Sequence, residues 1–262
     1  KIKKKKKKTF LKKKKKKIGI IIEARSNSSR LSNKHFLKVL NKTMLEHLIF
    51  RLKNVSNAKT IIIATTTNKV DDKIYTLAKK EKVKVFRGSE DNVTGRVLKA
   101  AQKFKLNFIC EITGDCPIID PFLVEQLIDT YLINSDKIDY ISNSQLGLPN
   151  GMGCQIFSTK VLSDSYKNIK NKDEYEHVTL NIKRNPIKYK QAYLLPPKRL
   201  SWTELAVTLD EKNDFLLLKK IITNFKKKPL FTCEDVIKLL KKKKLWLKIN
   251  SQVKRKQNFI NI

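Results

Sequence analysis

The feature that most restricts the fold is an alternation of short apolar runs and amphipathic segments over the first 135 residues. The apolar runs have the length and β-branched content of buried strands, and the other segments repeat their apolar residues at helical spacing. The predicted strands are 18–22, 60–65, 83–86 and 107–112, and the predicted helices are 43–54, 70–80, 92–104 and 121–133. Strands that alternate with helices across short connections predict an α/β fold, a mostly parallel sheet with helices on both faces.

The second half of the chain is less regular, and its ends are strongly basic. It is expected to contain strands at 139–142, 152–157 and 206–210, an extended segment at 188–194, and helices at 173–183, 211–225 and 233–240. Residues 1–17 include thirteen lysines and no acids, which predicts a disordered tail. The predicted organisation is therefore a tail at 1–17, one domain at 18–225 and a basic C-terminal extension at 226–262.

The net charge of +34 raises the question of a nucleic-acid or anionic-membrane partner. The lysines form homopolymer runs without interleaved aromatic residues, and lysine far exceeds the arginine that makes bidentate contacts. These features favour a compositional bias over nucleic-acid binding. No apolar run reaches the ~18 residues of a membrane span, and no signal peptide is recognisable. The four cysteines lack C-x-x-C spacing, so a reducing, cytoplasmic location is expected.

The segment IGIIIEARSNSSRLSNK, residues 18–34, joins the first predicted strand to a loop of small polar residues. Three cations, Arg25, Arg30 and Lys34, are spaced along this loop. Backbone N–H groups in such a loop can form an anion-binding concavity, and the cations add charge-assisted hydrogen bonds. The segment therefore predicts a phosphate site, and the alternative is an ordinary solvated loop.

Two carboxylates follow predicted strands and should face the same crevice, because ligands of parallel sheets lie at the carboxyl ends of the strands. Asp115 follows the fourth strand in a Thr-Gly-Asp turn, and Asp210 ends the last predicted strand. Mg²⁺ is commonly bound by one or two carboxylates together with substrate phosphates. The alternatives are a turn-capping role for Asp115 and a helix N-cap role for Asp210.

The sequence IIEARSNSSRLSNK resembles the signature I-I-x-A-R-x-G-S-x-R-L-P-G-K of the sugar-acid cytidylyltransferases. Further matches follow in order, ATTTN at 64–68, VFRGSEDNV at 85–93, ITGDCPIIDP at 112–121, EHVT at 176–179 and TLDEKNDF at 208–215. The resemblance is to the spore-coat-polysaccharide branch, related to the CMP-Kdo and CMP-sialate synthetases, and it covers about residues 18–220.

This resemblance implies a Rossmann-like fold of the nucleotide-diphospho-sugar transferase type, with a small inserted β/dimerisation region. It implies Mg²⁺-dependent transfer of CMP from CTP to a sugar, usually an acidic one, with release of pyrophosphate, for surface polysaccharide or glycolipid synthesis. Relatives commonly form homodimers. Open alternatives are a nucleotidyltransferase that uses another NTP or sugar phosphate, an inactive relative that only binds nucleotide, and a non-catalytic basic binder of nucleic acid or anionic surfaces.

The resemblance also implies roles for individual residues. The catalytic residues would be Arg25, Lys34 and Asp115, and the metal ligands Asp115 and Asp210. The nucleotide would contact Ala24, Arg25, Ser28, Ser29, Arg30, Lys34, Thr65, Ser89 and Arg96. The sugar side would be bordered by Gln155 and by Glu176 and His177, which are expected to begin a helix. The alternative for His177 is a structural helix histidine.

Several residues depart from the family pattern. Asn27 replaces the loop glycine, and Ser32-Asn33 replace Pro-Gly. Because asparagine tolerates a left-handed backbone better than most residues, the loop is expected to keep its form. Gly95 stands where an aspartate is common, and Gly153 and Gln155 stand where many relatives carry acids. Together these departures are compatible with the nucleotide chemistry but put the identity of the sugar in question, and loss of activity is an open alternative.

Overall fold

The computed structural model describes residues 16–28, 30–144 and 146–255. Most of the predicted N-terminal tail, Ser29 and the last seven residues therefore lie outside the described part of the chain.

Within the described residues, seven strands form one twisted sheet whose order is β5-β4-β1-β6-β8-β7-β9. All neighbouring pairs are parallel except the two that involve β8, which runs antiparallel to β6 and β7. A separate hairpin is formed by β2 and β3. The strands are β1 (Ile18–Glu23), β2 (Lys38–Val39), β3 (Lys42–Thr43), β4 (Thr60–Thr66), β5 (Lys84–Gly88), β6 (Phe108–Thr113), β7 (Tyr140–Ser142), β8 (Gln155–Ser158) and β9 (Gln191–Tyr193).

Helices cover both faces of this sheet, as predicted. They are α1 (Met44–Leu52), α2 (Asp72–Lys80), α3 (Val93–Lys103), α4 (Pro121–Asn134), α5 (Thr159–Lys167), α6 (Lys172–Glu176), α7 (Leu180–Arg184), α8 (Lys212–Asn224), α9 (Cys233–Lys242) and α10 (Lys244–Leu247). Ile20 and Ile22 of β1 pack with α1, α2 and α4, whereas Ile21 packs with α3, α5 and α7 on the opposite face. The period of two along β1 thus builds two separate cores.

Local sequence accounts for the helix starts. Thr43 and Glu46 form a reciprocal capping box at α1, and Pro121 opens α4 behind the capping carboxylate of Asp120. No helix of the described chain is both long enough and apolar enough to cross a bilayer.

The described part of the C-terminal extension packs onto the rest of the molecule. Apolar residues of α9, including Cys233, Val236 and Leu240, are buried in one cluster with α8. Arg51 of α1 links the two parts, because its guanidinium donates to the carbonyl oxygens of Ile119, Pro229 and Phe231.

Two expectations for the second half are wrong. The predicted helix 173–183 is two short helices, α6 and α7, because the backbone at His177 is extended. The predicted strand 206–210 makes a single bridge between Ala206 and Asn150 and otherwise runs as buried coil. Helix α5 was not predicted.

Candidate active site

The basic loop leaves the carboxyl end of β1 and folds back on itself. The Ser26 N–H donates to Asp71 Oδ1 at 2.6 Å, and the Asn33 N–H donates to the Ser26 carbonyl at 3.2 Å. Asn33 has φ 56°, a left-handed conformation, whereas Asn27 is not among the left-handed residues. Of the two asparagines that depart from the family pattern, Asn33 therefore supplies the glycine-like backbone.

Lys34 lies between the two predicted metal carboxylates. Its Nζ is 3.4 Å from Asp115 Oδ2 and 3.4 Å from Asp210 Oδ1. Arg30 Nη2 is 2.8 Å from the same oxygen of Asp210. The lysine side chain is only 11% exposed, so water screens these ion pairs weakly.

Asp115 is fixed by backbone contacts on both sides. The Gly114 N–H donates to the Glu23 carbonyl at 2.8 Å, and the Leu209 N–H donates to the Asp115 carbonyl at 2.8 Å. A side chain at position 114 would meet the Glu23 carbonyl oxygen at 2.7 Å, so glycine is required for this close approach. Burial opposes ionisation of the Asp115 carboxyl, but the Lys34 ammonium outweighs burial and lowers its pKa.

The pair of carboxylates suits Mg²⁺ but does not complete its coordination. No cluster of three or more His, Cys, Asp and Glu side chains able to hold a metal occurs among the described residues. Mg²⁺ usually keeps several waters and takes one or two carboxylates plus phosphate oxygens. Asp115 and Asp210, which both contact the Lys34 ammonium, match that donor set.

A cavity of about 280 Å³ opens beside this cluster and holds most of the predicted nucleotide residues. Its described lining is Glu23, Ala24, Arg25, Ser28, Arg30, Lys34, His35, Val93, Arg96, Thr113, Gly114, Asp115, Glu176, His177 and Asp210. Glu176 and His177 thus border this smaller cavity, and Glu176 ends α6 instead of beginning a helix. Ser89 and Thr65 do not line it. The Ser89 hydroxyl accepts from the Asn92 N–H at 3.1 Å.

Unpaired buried polar atoms concentrate around this smaller cavity. In the described chain, the buried side-chain atoms without a hydrogen-bond partner are Glu23 Oε1, Ser26 Oγ, His35 Nδ1, Thr65 Oγ1 and Arg96 Nε. Glu23, His35 and Arg96 line the cavity itself. Buried polar groups are normally satisfied, so this concentration indicates that a polar ligand or ordered water completes the site.

His35 was not singled out from the sequence, although it directly follows Lys34. Burial and the Lys34 ammonium lower its pKa to about 4, so its ring is neutral near pH 7. A neutral ring adds no positive charge beside Lys34 and can accept or donate a hydrogen bond toward a bound ligand.

A larger cavity of about 860 Å³ adjoins the smaller one, and the two share Arg30, Thr113, Asp115 and Asp210 as lining residues. Gln155, predicted on the sugar side, lines this larger cavity. The carboxylate cluster therefore lies where the two cavities meet, which is the geometry that a reaction between two substrates requires.

A buried carboxyl pair, Glu23 and Glu111, explains why Gln155 is an amide. Burial and the neighbouring carboxyl raise the pKa of Glu23 well above its usual value, and burial raises the pKa of Glu111. Gln155 Nε2 donates to Glu111 Oε2 at 2.7 Å, while Tyr140 and Thr179 donate to its Oε1. An acid at position 155 would place a third carboxyl beside this pair.

The two glycine departures follow from lack of space. A Cβ at Gly95 would meet Asn92 Oδ1 at 2.7 Å, because that oxygen caps α3 by accepting the Gly95 N–H. A Cβ at Gly153 would meet the Cα of Ser144 at 2.6 Å. Acidic side chains at these positions would displace the neighbouring backbone or cap.

Comparisons with known proteins identify relatives of this chain. A protein of Methanocaldococcus jannaschii of uncharacterised function is 35% identical over 238 residues, spanning 90% of this chain and 95% of that protein. The spore coat polysaccharide biosynthesis protein SpsF of Bacillus subtilis is 29% identical over 225 residues, or 84% of this chain and 92% of SpsF.

Two solved structures share the fold. A cytidylyltransferase from Leptospira borgpetersenii superposes with a TM-score of 0.85 at 30% identity, covering 93% of this chain and all of that one. A CMP:2-keto-3-deoxy-manno-octonic acid synthetase complexed with CTP gives 0.60 at 17% identity, covering 79% of this chain and 99% of that one, and shows the fold alone. The sequence profile of the family described as cytidylyltransferase matches residues 19–257. This chain belongs to the cytidylyltransferase family and is a nucleotidyltransferase.

Proposed function

We propose that this protein transfers CMP from CTP to a hydroxyl of an acidic sugar and releases pyrophosphate. The observation that carries the proposal is the convergence of Lys34, Asp115 and Asp210 at the junction of two cavities. One cavity has the cations of a phosphate site, and the other has room for an acceptor.

In this proposal the smaller cavity holds CTP. Arg25, Arg30 and Lys34 line it and supply charge-assisted hydrogen bonds to the triphosphate. The neutral His35 and the unpaired Arg96 Nε and Glu23 Oε1 offer further polar contacts to the nucleotide. Ser28 lies in the same lining, and Ser29 remains a sequence-based expectation.

Asp115 and Asp210 would hold Mg²⁺ together with phosphate oxygens. The metal would offset the charge that develops during attack on the α-phosphorus. Both carboxylates lie 3.4 Å from Lys34 Nζ, so substrate binding would move the lysine side chain from the carboxylates to the phosphates.

The acceptor would occupy the larger cavity, with its hydroxyl directed toward Asp115 and Asp210. Its assignment as an acidic sugar rests on the names of similar proteins, a spore coat polysaccharide biosynthesis protein and a synthetase of an octonic acid derivative. The buried free thiols of Cys110, Cys116, Cys154 and Cys233 fit the further proposal of a cytoplasmic enzyme. A homodimer is also proposed and can be checked by sedimentation.

A nucleotidyltransferase with another base preference is the second candidate, because the basic loop binds phosphates irrespective of the base. Thermal-shift titration with CTP, UTP, ATP and GTP, each with and without Mg²⁺, separates the two. The proposal expects the largest stabilisation from CTP with Mg²⁺, since a ligand that binds only the folded state raises its stability. Stronger stabilisation by another triphosphate would favour the second candidate.

The activity test is pyrophosphate release over a panel of sugar acids and neutral sugars with CTP. Asp115→Asn should lower kcat/KM by more than the roughly 10- to 100-fold that loss of an outer-sphere metal partner costs. Asp136→Asn, which changes an exposed carboxylate remote from both cavity linings, is the matched control. Full turnover by Asp115→Asn would show that the proposed role of this carboxylate is wrong.

A further inference from the structure

The C-terminal segment 250–255 forms one wall of the larger cavity. Asn250, Ser251, Val253 and Arg255 all belong to its lining. These residues follow α10, so the cavity is completed by a part of the chain that lies beyond the α/β unit.

This segment is anchored at several points. Asn250 Nδ2 donates to Asp214 Oδ1 at 2.9 Å and to the Ala206 carbonyl at 3.1 Å. Val253 is buried, and Arg30 Nη1 donates to the Lys254 carbonyl at 3.4 Å. The wall is therefore held against both the phosphate loop and the start of α8.

Arg255 is held in a fixed orientation by a buried carboxylate. Its Nη2 lies 2.6 Å from Asp214 Oδ1, and its Nη1 lies 3.0 Å from Asp214 Oδ2. The Asp214 side chain is completely buried and also accepts the N–H groups of Asp210 and Glu211. A guanidinium held along one edge loses little further entropy when its free edge binds a ligand.

The free edge of Arg255 remains available. Its Nε makes no hydrogen bond with the described residues. The Arg255 side chain is 25% exposed, and it belongs to the lining of the larger cavity. A guanidinium has five N–H donors, and the contact with Asp214 uses two of them.

The charges around the larger cavity single out Arg255. Among its described lining residues the acids are Glu111, Asp115, Glu204 and Asp210, and the bases are Arg30 and Arg255. Both arginines lie near Asp210, Arg30 Nη2 at 2.8 Å and Arg255 Nη1 at 3.6 Å. Arg30 also lines the smaller cavity, where the triphosphate is proposed to bind, whereas Arg255 lines only the larger one. An anionic group on the acceptor would be repelled by most of the other ionised groups.

We propose that Arg255 binds the anionic group of the acceptor and thereby selects acidic over neutral sugars. This inference rests on the proposed function, in which a sugar acid occupies the larger cavity. It adds an acceptor-binding residue that lies outside the segment 18–220 where the sequence motifs occur.

The test compares one acid with its carboxamide, which has nearly the same shape and no charge. The probe is 3-deoxy-manno-octulosonate, or whichever sugar acid of the panel the wild type turns over. A charge-assisted contact predicts a wild-type preference of about 10- to 100-fold in kcat/KM for the acid. In Arg255→Gln this preference should disappear, because kcat/KM for the acid falls much further than kcat/KM for the carboxamide.

A purely structural role gives a different result, because a distorted cavity would lower turnover of acid and amide equally. An intact preference in Arg255→Gln would overturn the inference and leave the proposed function standing. A wild type that turns over no sugar acid would overturn both. Arg199→Gln, which removes an exposed arginine paired with Glu234, is the matched control and should keep the preference.

A second measurement uses the wild type and does not depend on folding of a variant. Phenylglyoxal labels accessible guanidinium groups, and mass spectrometry follows the peptide that contains Arg255. With CTP and Mg²⁺ present, the acid should slow labelling of Arg255 and the carboxamide should not. Equal labelling rates with both compounds would refute the inference.

Discussion

Replacing Arg51 by Met should destabilise the whole molecule, because this residue joins α1 to the segment before α9. The guanidinium is buried, and it donates from Nε to the Ile119 carbonyl at 2.7 Å and from Nη1 to the Pro229 carbonyl at 2.8 Å. Nη2 donates to the Phe231 carbonyl, and the ring of Phe231 stacks 4.4 Å from the guanidinium carbon.

The size of the effect follows from two opposing contributions. Three hydrogen bonds from a charged donor contribute about 6 kcal/mol at about 2 kcal/mol each. Burial lowers the pKa of Arg51 to about 10, which corresponds to a burial cost of about 3 kcal/mol. The net loss in Arg51→Met should therefore be about 3 kcal/mol, within the usual range for a broken buried charged contact.

Urea denaturation provides the assay, with two probes. Trp202 and Trp246 pack against the α8–α9 cluster, so their fluorescence reports the C-terminal part, while far-UV circular dichroism reports the whole chain. Both midpoints should fall together in Arg51→Met. Arg199→Met, which removes an exposed ion pair, should lower the free energy of unfolding by less than about 1 kcal/mol. A loss below about 1 kcal/mol in Arg51→Met, or a shift confined to fluorescence, would refute this reasoning.

Three further outcomes are expected. Lys34→Met should lower the affinity for CTP in the presence of Mg²⁺ by about 10- to 100-fold, because it removes a charged hydrogen-bond donor to the phosphates. Calorimetry measures this affinity, and an unchanged value would exclude Lys34 from the phosphate site. For His35, the unfolded chain takes up a proton below about pH 6.5 and the folded chain only near pH 4, so stability falls as pH is lowered between these values. At pH 5 this loss should be about 2 kcal/mol relative to pH 7.5, and His35→Gln should remove it from the urea-derived stability profile; identical profiles would contradict the assignment. Gln155→Glu should lower the free energy of unfolding by about 1–3 kcal/mol at pH 8 and by less at pH 5, where the added carboxyl can be protonated. Equal melting temperatures of variant and wild type at pH 8 would show that the carboxyl pair does not constrain this position.

The first half of the fold could be predicted because each element carries its own local pattern. The predicted strand 18–22 and helix 121–133 differ from β1 and α4 by one residue at one end. The second half was harder to predict. The segment 206–210 was expected to be a strand, but most of it is buried coil that packs under α8, and a short apolar run does not distinguish these two structures.

The central cluster of the site could also be predicted, because Lys34, Asp115 and Asp210 follow or lie near strand ends that a parallel sheet brings to one edge. Other features depend on contacts that a local pattern does not encode. Arg255 reaches Asp214 across 41 positions of sequence, and Glu23 meets Glu111 only because β1 and β6 are neighbours. The left-handed residue of the loop, Asn33, could not be chosen over Asn27 without the backbone path.

The network around Lys34 has a consequence for selectivity in a cell full of anions. Arg30, Lys34 and Arg255 are matched by Asp115, Asp210 and Asp214, so this cluster is electrically neutral although the chain carries +34. A free phosphate or sulfate ion would have to compete with carboxylates that already occupy the cations. A triphosphate that arrives with its own divalent cation brings a replacement partner for those carboxylates. Pairing of these cations with carboxylates thus disfavours binding of the simple anions that the rest of this basic surface attracts.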